Sequence, residues 1–331
     1  MSHAAPSNSF TGLIDLASAA VGGEALECSD DFFAPMSALI DPRPAVFDPD
    51  AYTDRGKLMD GWESRRKRVP GHDWCVLRLG VPGVIRALDV DTSFFLGNHP
   101  PFCSLEAKRE GGEWEEILPQ SPLRPGSSNL FAIGAPKSYT HLRLHIYPDG
   151  GVARLRVYGE PEPRWDPPDY DEATRPHVKG GEVDLAALVN GGKALACSDA
   201  FFGPMNNLLL PGRARNMGGG WETRRKRALP GDDWILVRLG AAGTLSLVEL
   251  VTCHFKGNYP DRASLEAVHA PGARITDLIA SSEWKEILPP SKLSADTRHF
   301  FPVSGGPYTH LRLRIYPDGG ISRLRAWGRR A

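Results

Sequence analysis

The sequence predicts an all-β protein: two tandem antiparallel β-sandwich (jelly-roll) domains that arose by an internal duplication. Three observations lead to this prediction. The distinctive blocks of the chain occur twice, apolar and polar residues alternate with a period of two, and 29 prolines and 35 glycines separate the short apolar runs. Short alternating strands between turns are typical of antiparallel sheets, whereas parallel sheets need long crossover connections.

The duplication is visible as pairs of nearly identical blocks. They are 28–36 with 197–205, 61–68 with 220–227, and 139–151 with 308–320. The separation between partners differs from pair to pair, as expected when loops of unequal length connect a shared scaffold. Solenoid and propeller repeats are only about 20–50 residues long. The longer period here therefore indicates two whole domains.

The domain boundaries follow from local composition. Residues 161–177 are rich in proline and polar side chains, which is typical of a linker. We therefore predict a first repeat at 11–160 and a second at 178–331, with residues 1–10 as a loose N-terminal end. A unit of about 150 residues buries enough surface to fold without a disulfide or a metal.

The period-two pattern is clearest at 140–146, where leucine and isoleucine alternate with polar residues. This alternation predicts a half-buried strand. A Tyr-Pro-Asp-Gly-Gly turn follows, and 152–158 alternates again. We therefore predict a β-hairpin at this place, and another in the second repeat at 311–327.

Further elements are predicted in matched positions of the two repeats. Separate strands are expected at 73–80 and 84–90, with counterparts at 233–240 and 244–250. The pattern of residues 13–16 predicts a small helix before Gly22, with a counterpart near 183–189. Many short strands and little helix complete the pattern of a β-sandwich in each repeat.

Composition narrows the class of protein. The formal net charge is -1, which argues against nucleic acid as the main partner. No apolar run reaches the roughly 20 residues of a membrane span, and the first ten residues lack the features of a signal peptide. Five cysteines without a CxxC spacing predict free thiols in a cytoplasmic protein. The oligomeric state stays open, and a homo-oligomer is one alternative.

Several repeated motifs together resemble the allantoicase family, over nearly the whole chain. They are Gly-Trp-Glu-Ser/Thr-Arg-Arg-Lys-Arg at 61–68 and 220–227, the segments 97–100 and 255–260, the segments 114–119 and 284–289, and the two Tyr-Pro-Asp-Gly-Gly turns. The resemblance implies two jelly-roll domains and hydrolysis of a non-peptide carbon–nitrogen bond. The implied substrate is a small-molecule ureide, allantoate, which is cleaved to ureidoglycolate and urea.

Two other functions remain alternatives. A related enzyme could act mainly on ureidoglycolate, which shares the carboxylate and one ureido group of allantoate. A non-catalytic jelly-roll protein could bind a ligand without chemistry, because a fold does not decide a function.

The reaction that the resemblance implies sets the chemical requirements. Release of intact urea means that the bond between the α-carbon and one ureido nitrogen breaks. The site must therefore hold a carboxylate and planar ureido groups, protonate the leaving nitrogen and direct water to the carbon. Arginine suits the carboxylate, and asparagine suits the ureido groups.

The basic blocks contain candidates for the carboxylate anchor. We assign substrate binding to Arg65 and Arg66 and to their counterparts Arg224 and Arg225. On an extended strand, side chains two residues apart share a face, so one row of each block would point to the ligand. Glu222, in the second block, is a candidate catalytic carboxylate. The alternative is a solvated charged edge that discourages strand pairing.

A second candidate segment differs between the repeats. His254 and Lys256 occupy positions that hold Phe94 and Leu96 in the first repeat. His254 titrates near neutral pH, so we predict that it protonates the leaving nitrogen. Lys256 is predicted to hold negative charge, and this asymmetry predicts different roles for the two repeats.

Three further candidates belong to the same two segments. Asp91 is a candidate base for water, and Asn98 and Asn258 are candidate ligands of the ureido groups. The alternatives are ordinary Gly-Asn turns and, for His254, a packed histidine.

No cofactor is certain from the sequence. No HxH, HExxH or cysteine cluster fixes a metal geometry. A divalent metal held by ligands scattered over several strands stays an open alternative, because such a site leaves no linear signature.

Overall fold

The computed structural model describes residues 13–163, 165, 171–227 and 229–331. Clustering of contacts divides the chain into two compact units that meet in sequence at Glu162 and Pro163. The predicted loose end at 1–10 and much of the predicted linker, residues 164 and 166–170, lie outside the described residues. Each unit is built almost entirely of antiparallel strands, which confirms the predicted fold class.

The first unit contains twelve named strands and two short 3-10 helices. The strands are β1 (Ile14–Asp15), β2 (Glu24–Cys28), β3 (Tyr52–Thr53), β4 (Gly56–Lys57), β5 (Trp62–Glu63), β6 (Asp73–Asp91), β7 (Phe102–Lys108), β8 (Glu115–Pro122), β9 (Leu130–Ala132), β10 (Ser138–Tyr147), β11 (Gly151–Val152) and β12 (Arg154–Pro161). The 3-10 helices are Ala19–Val21 and Met36–Ile40.

The second unit repeats this order with small differences. Its strands are β13 (Val183–Asp184), β14 (Lys193–Cys197), β15 (Trp221–Glu222), β16 (Asp233–Val251), β17 (Arg262–Val268), β18 (Lys285–Lys292), β19 (Arg298–Pro302), β20 (Tyr308–Tyr316), β21 (Gly320–Ile321) and β22 (Arg323–Arg330). It also has one α-helix, α1 (Ile275–Ala280), and the 3-10 helices Leu188–Asn190, Met205–Leu209 and Met217–Gly219.

One long strand organises each sandwich. The first part of β6 pairs with β2 and β10, and its second part pairs with β9 and β12. β6 therefore belongs to both layers of the sandwich. β16 has the same role, between β14 and β20 and then between β19 and β22. Alternate residues of β6, such as Cys75, Leu77 and Leu79, are buried in the core, as its period-two pattern predicts.

The predicted hairpins are wrong in their pairing. β10 and β12 do form where strands were expected, but they do not pair with each other. They pair with different parts of β6, so the turn after β10 carries the chain from one layer to the other. The two strands predicted at 73–80 and 84–90 are likewise one continuous strand, and the same holds in the second repeat.

Two local predictions also need correction. Residues 13–16 contain the short strand β1, and only a 3-10 helix at Ala19–Val21 follows; the second repeat behaves alike. The basic block 61–68 is not an extended strand, since only Trp62–Glu63 pairs. Beyond Glu63 the backbone N–H groups of Arg65 and Lys67 donate to the carboxylates of Asp30 and Asp149 rather than to a neighbouring strand.

A buried phenylalanine joins three of the repeated blocks. The ring of Phe95 is fully buried, and a Cβ placed on Gly151 would lie 1.9 Å from its Cε1. A Cβ on Gly61 would lie 2.8 Å from Cε2 of the same ring. Phe255 has the same relation to Gly320 and Gly220. Glycine is required at these positions because the ring occupies the space of a side chain.

We expect Gly151→Ala to lower the free energy of unfolding by about 1–3 kcal/mol, since the ring of Phe95 must leave its place to admit a methyl group. Urea denaturation measures the change. Gly134→Ala is the matched control, because nothing lies within 4 Å of a Cβ at that position. Equal stability of the two variants would show that the ring is not a fixed constraint.

Candidate active site

The repeated glutamate and asparagine come together in each unit. The amide Nδ2 of Asn98 donates a hydrogen bond to Oε1 of Glu63 over 2.7 Å. The corresponding bond from Asn258 to Glu222 measures 2.5 Å. Sequence reasoning selected Glu222, Asn98 and Asn258 but did not pair them, and it missed Glu63. The signal for Glu63 was available, because it occupies the position of Glu222 in the first repeat.

The glutamate is positioned by a buried tryptophan and by backbone pairing on two sides. Trp62 has no exposed surface, and its Nε1 donates to the carbonyl of Asp30 over 2.8 Å. Glu63 pairs with Ala34 on one side and with Gly151 on the other. Trp221 makes the same bond, over 2.8 Å, to the carbonyl of Asp199. These bonds leave the carboxylate directed at the asparagine.

In the first unit this pair opens into a cavity of about 330 Å³. Glu63, Asn98 and Lys57 provide the polar groups of its wall. The rings of Phe47 and Phe94 stack with their centroids 5.6 Å apart and provide apolar wall. The cavity thus offers a carboxyl group, an amide and an ammonium group to a small polar ligand.

Burial raises the pKa of Glu63, and the hydrogen bond from Asn98 offsets part of this increase. A carboxyl group with a raised pKa keeps its proton at a higher pH than usual. Glu63 is therefore suited to donate a proton to a leaving group.

The second unit places His254 where the first has Phe94, and both residues have positive φ, 74° and 70°. The backbone N–H of His254 donates to Oδ1 of Asp296 over 2.7 Å. Its Nε2 donates to the carbonyl of Ala214 over 2.8 Å. The second ring nitrogen, Nδ1, is then the one left for a ligand. Lys256 is exposed at the position of Leu96. The catalytic role of His254 and the binding role of Lys256 stay predictions.

Asp91 lies apart from the glutamate–asparagine pair. It ends β6, and its Oδ1 accepts the backbone N–H of Ser93 over 2.8 Å. It is not among the residues that line the cavity at Glu63. Its assignment as a base for water stays a prediction.

The arginines of the basic blocks already have acidic partners. Nη2 of Arg65 lies 2.5 Å from Oδ2 of Asp30, and Nη2 of Arg224 lies 3.0 Å from Oδ1 of Asp199. Both guanidinium groups also lie over phenylalanine rings, Phe32 and Phe201. Arg66 and Arg225 are exposed. A substrate carboxylate would have to compete with the aspartates for Arg65 and Arg224, so their role as anchors stays a prediction.

Neither a metal-binding cluster nor a membrane-spanning helix is found among the described residues. Within 13–163, 165, 171–227 and 229–331, no group of three or more His, Cys, Asp and Glu side chains is arranged to hold a metal ion. In the same part of the chain, no helix has the length and apolar character needed to cross a membrane.

Comparison with known proteins decides the family. The family described as Allantoicase repeat matches residues 14–162 and again 183–331. This chain belongs to the allantoicase family. The two matched stretches each contain one glutamate–asparagine pair, so the pair repeats in this allantoicase family member.

Curated relatives extend over nearly the full chain. A probable allantoicase 1 from Burkholderia mallei is 48% identical over 326 residues, which cover 95% of this chain and 94% of the relative. A probable allantoicase from Photobacterium profundum is also 48% identical, over 96% of this chain and 97% of its own.

A solved structure agrees with the fold. The crystal structure of allantoicase from Saccharomyces cerevisiae is 34% identical and superposes with a TM-score of 0.79. The match covers 95% of this chain and 92% of the yeast chain.

The raised pKa of Glu63 predicts a pH-dependent effect of Glu63→Gln on stability. A carboxyl group whose pKa is higher in the folded state than in the unfolded state favours folding at low pH, and this contribution is lost as the pH rises through the folded pKa. We therefore expect Glu63→Gln to gain stability relative to the wild type as the pH rises, in urea denaturation between pH 4 and 8. Asn98→Ala should move this window to higher pH, because it removes the bond that lowers the pKa. A difference that is constant with pH would contradict the assignment.

Proposed function

We propose that this protein hydrolyses allantoate to ureidoglycolate and urea, in the degradation of allantoin and thus of purines. The observation that carries the proposal is the match of both halves to the Allantoicase repeat. Near-complete coverage of curated relatives named probable allantoicase supports it.

The glutamate–asparagine pair supplies chemistry that suits this reaction. Water adds to the α-carbon, and the ureido nitrogen leaves with a proton as urea. Glu63, with its raised pKa, is the donor of that proton in the first unit. The carbonyl and amide of Asn98 match the donors and acceptors of a planar ureido group. Lys57, in the same cavity wall, offers a positive charge to the substrate carboxylate.

The second unit offers a related but different set of groups. Glu222 and Asn258 repeat the pair, and His254 adds an imidazole ring, a group that can act as a general acid. His254 is held by two hydrogen bonds, to Asp296 and to Ala214. Fixed orientation is what a proton donor needs, because proton transfer requires the donor within hydrogen-bond reach of the leaving atom.

A cytoplasmic location is part of the proposal. Five free cysteines, with Cys75 and Cys103 buried, support a reducing compartment.

The activity is tested with purified protein, allantoate and water enriched in oxygen-18. We expect one urea per allantoate consumed, with the label on the α-hydroxyl of ureidoglycolate and none in urea, because water adds to carbon and the ureido carbonyl is not attacked. Mass spectrometry reads both products. Ureidoglycolate as the starting substrate is the comparison arm. Label in urea would refute the bond assignment, and faster turnover of ureidoglycolate than of allantoate would refute the substrate.

His254→Gln separates a catalytic from a packing role. Glutamine can still donate to the carbonyl of Ala214 but cannot exchange a proton near neutral pH. We expect kcat to fall about 10²- to 10⁴-fold, the usual contribution of a general acid, with KM within a few-fold. The exposed His269→Gln is the matched control. Unchanged kcat in His254→Gln would leave this histidine with a positioning role for residue 214 only.

A further inference from the structure

The second unit contains a larger cavity, of about 440 Å³, whose wall does not include Glu222 or Asn258. Four arginines contribute to its lining: Arg213, Arg298, Arg323 and Arg325. Three acidic residues also line it: Asp171, Asp184 and Glu249. A volume of this size is in the range of small-molecule sites, which extends from about 300 to 1,000 Å³.

Arg323 is buried and has no acidic partner among the described residues. Its counterpart in the first unit, Arg154, has one. Arg323 is 5% exposed, and its Nη1 donates to the carbonyls of Asn207 and Gly219. Its counterpart Arg154 pairs with Oδ2 of Asp60 over 2.8 Å. Gly219 holds the position of Asp60, since each stands directly before the matched Gly-Trp-Glu. Within the part of the chain that the structure describes, no carboxylate forms an ion pair with Arg323.

Arg325 lines the same cavity and has a side-chain donor without a partner among the described residues. Its Nη2 donates to the carbonyl of Leu210 over 2.6 Å, and its Nε lies 3.6 Å from Oδ2 of Asp184. Its buried Nη1 has no hydrogen-bond partner among the described residues. The counterpart Arg156 differs, since its Nη1 donates to the carbonyl of Asp41 over 2.5 Å. A buried donor without a partner costs about 1–3 kcal/mol, so an acceptor is expected to meet it.

The charges that line the cavity favour an anionic ligand. Burial, with a smaller contribution from neighbouring Arg325, lowers the pKa of Arg323 to about 10. Arg298 does not fill the need, because Glu249 and Asp171 already pair with it at 2.6 and 2.8 Å. Four arginines against three carboxyl groups leave the cavity at least one positive charge in excess.

We propose that this cavity binds the carboxylate of a small ureide, with Nη1 of Arg325 and the Arg213 guanidinium as donors. The inference rests on the proposed function, because it names where the second unit holds the carboxylate of that substrate class, as Lys57 would hold it in the first unit. One excess positive charge matches a monocarboxylate, and a guanidinium fork fits the two oxygens. The carboxyl groups of Glu249 and Asp184 accept from the ureido N–H groups. The apolar side chains of Val251 and Trp327 complete the wall.

Binding is tested by calorimetry with N-carbamoylglycine, a carboxylate that carries one ureido group. It lacks the second nitrogen on the α-carbon and is therefore not a substrate for the proposed bond cleavage. We expect Arg325→Gln and Arg213→Gln each to weaken its binding about 10- to 150-fold. Arg156→Gln, the same change in the first unit, should leave the affinity unchanged. Arg213 is exposed, so Arg213→Gln keeps the test valid if Arg325→Gln does not fold.

Ligand controls identify the chemistry that is recognised. N-carbamoylglycinamide, which lacks the carboxylate charge, should not bind measurably, and urea and inorganic phosphate should bind far more weakly than N-carbamoylglycine. Equal binding of phosphate, or binding that the Arg213 and Arg325 variants retain, would overturn the proposal.

Separate assays keep the two hypotheses distinguishable. Urea release from allantoate by the wild type tests the proposed function without reference to this cavity. Release that persists while Arg325→Gln binds N-carbamoylglycine normally would refute the cavity and leave the function standing. Absence of urea release would refute the function, and an affinity loss confined to the second-unit variants would still locate the carboxylate site.

Discussion

The structure of each repeat depends on a phenylalanine ring that occupies the space of missing side chains. Phe95 and Phe255 are fully buried, and each contacts glycines from two other segments of its own unit. The ring fixes the segment that ends in Asn98 or Asn258 against the strand that carries the glutamate. Because packed interiors tolerate no extra volume, the glycines and the ring constrain one another. The glutamate–asparagine pair is therefore a consequence of packing in the core of each unit.

The duplication kept this frame and changed the loops around it. The same tryptophan bond, glutamate–asparagine bond and glycine contacts occur in both units. In the second unit Gly219 stands in place of Asp60, and His254 stands in place of Phe94. These exchanges remove a counter-ion from one buried arginine and add a titratable ring. Both exchanges lie in the connections between strands, where a rigid scaffold usually carries functional differences.

Sequence patterns predicted the positions of the strands better than they predicted which strands pair. The alternation at 140–146 predicts a strand, and β10 is there. Its partner could not be read from the pattern, since alternation shows which side chains are buried and not which strand lies beside them. The basic block illustrates the same limit. Its spacing suggests one charged row. In the structure Arg65 instead binds Asp30, which is remote in the sequence.

The sequence by itself determined the duplication, the all-β class, the resemblance to the allantoicase family and the candidate residues Glu222, Asn98 and Asn258. These follow from local composition and spacing, which the chain carries wherever it folds. Only the tertiary structure decided that the asparagines bond to Glu63 and Glu222. It also decided that Arg323 and Arg325 line a cavity, where Nη1 of Arg325 has no acceptor among the described residues. Such facts depend on contacts between segments more than thirty residues apart. A local sequence pattern does not show whether a buried charged group has a partner.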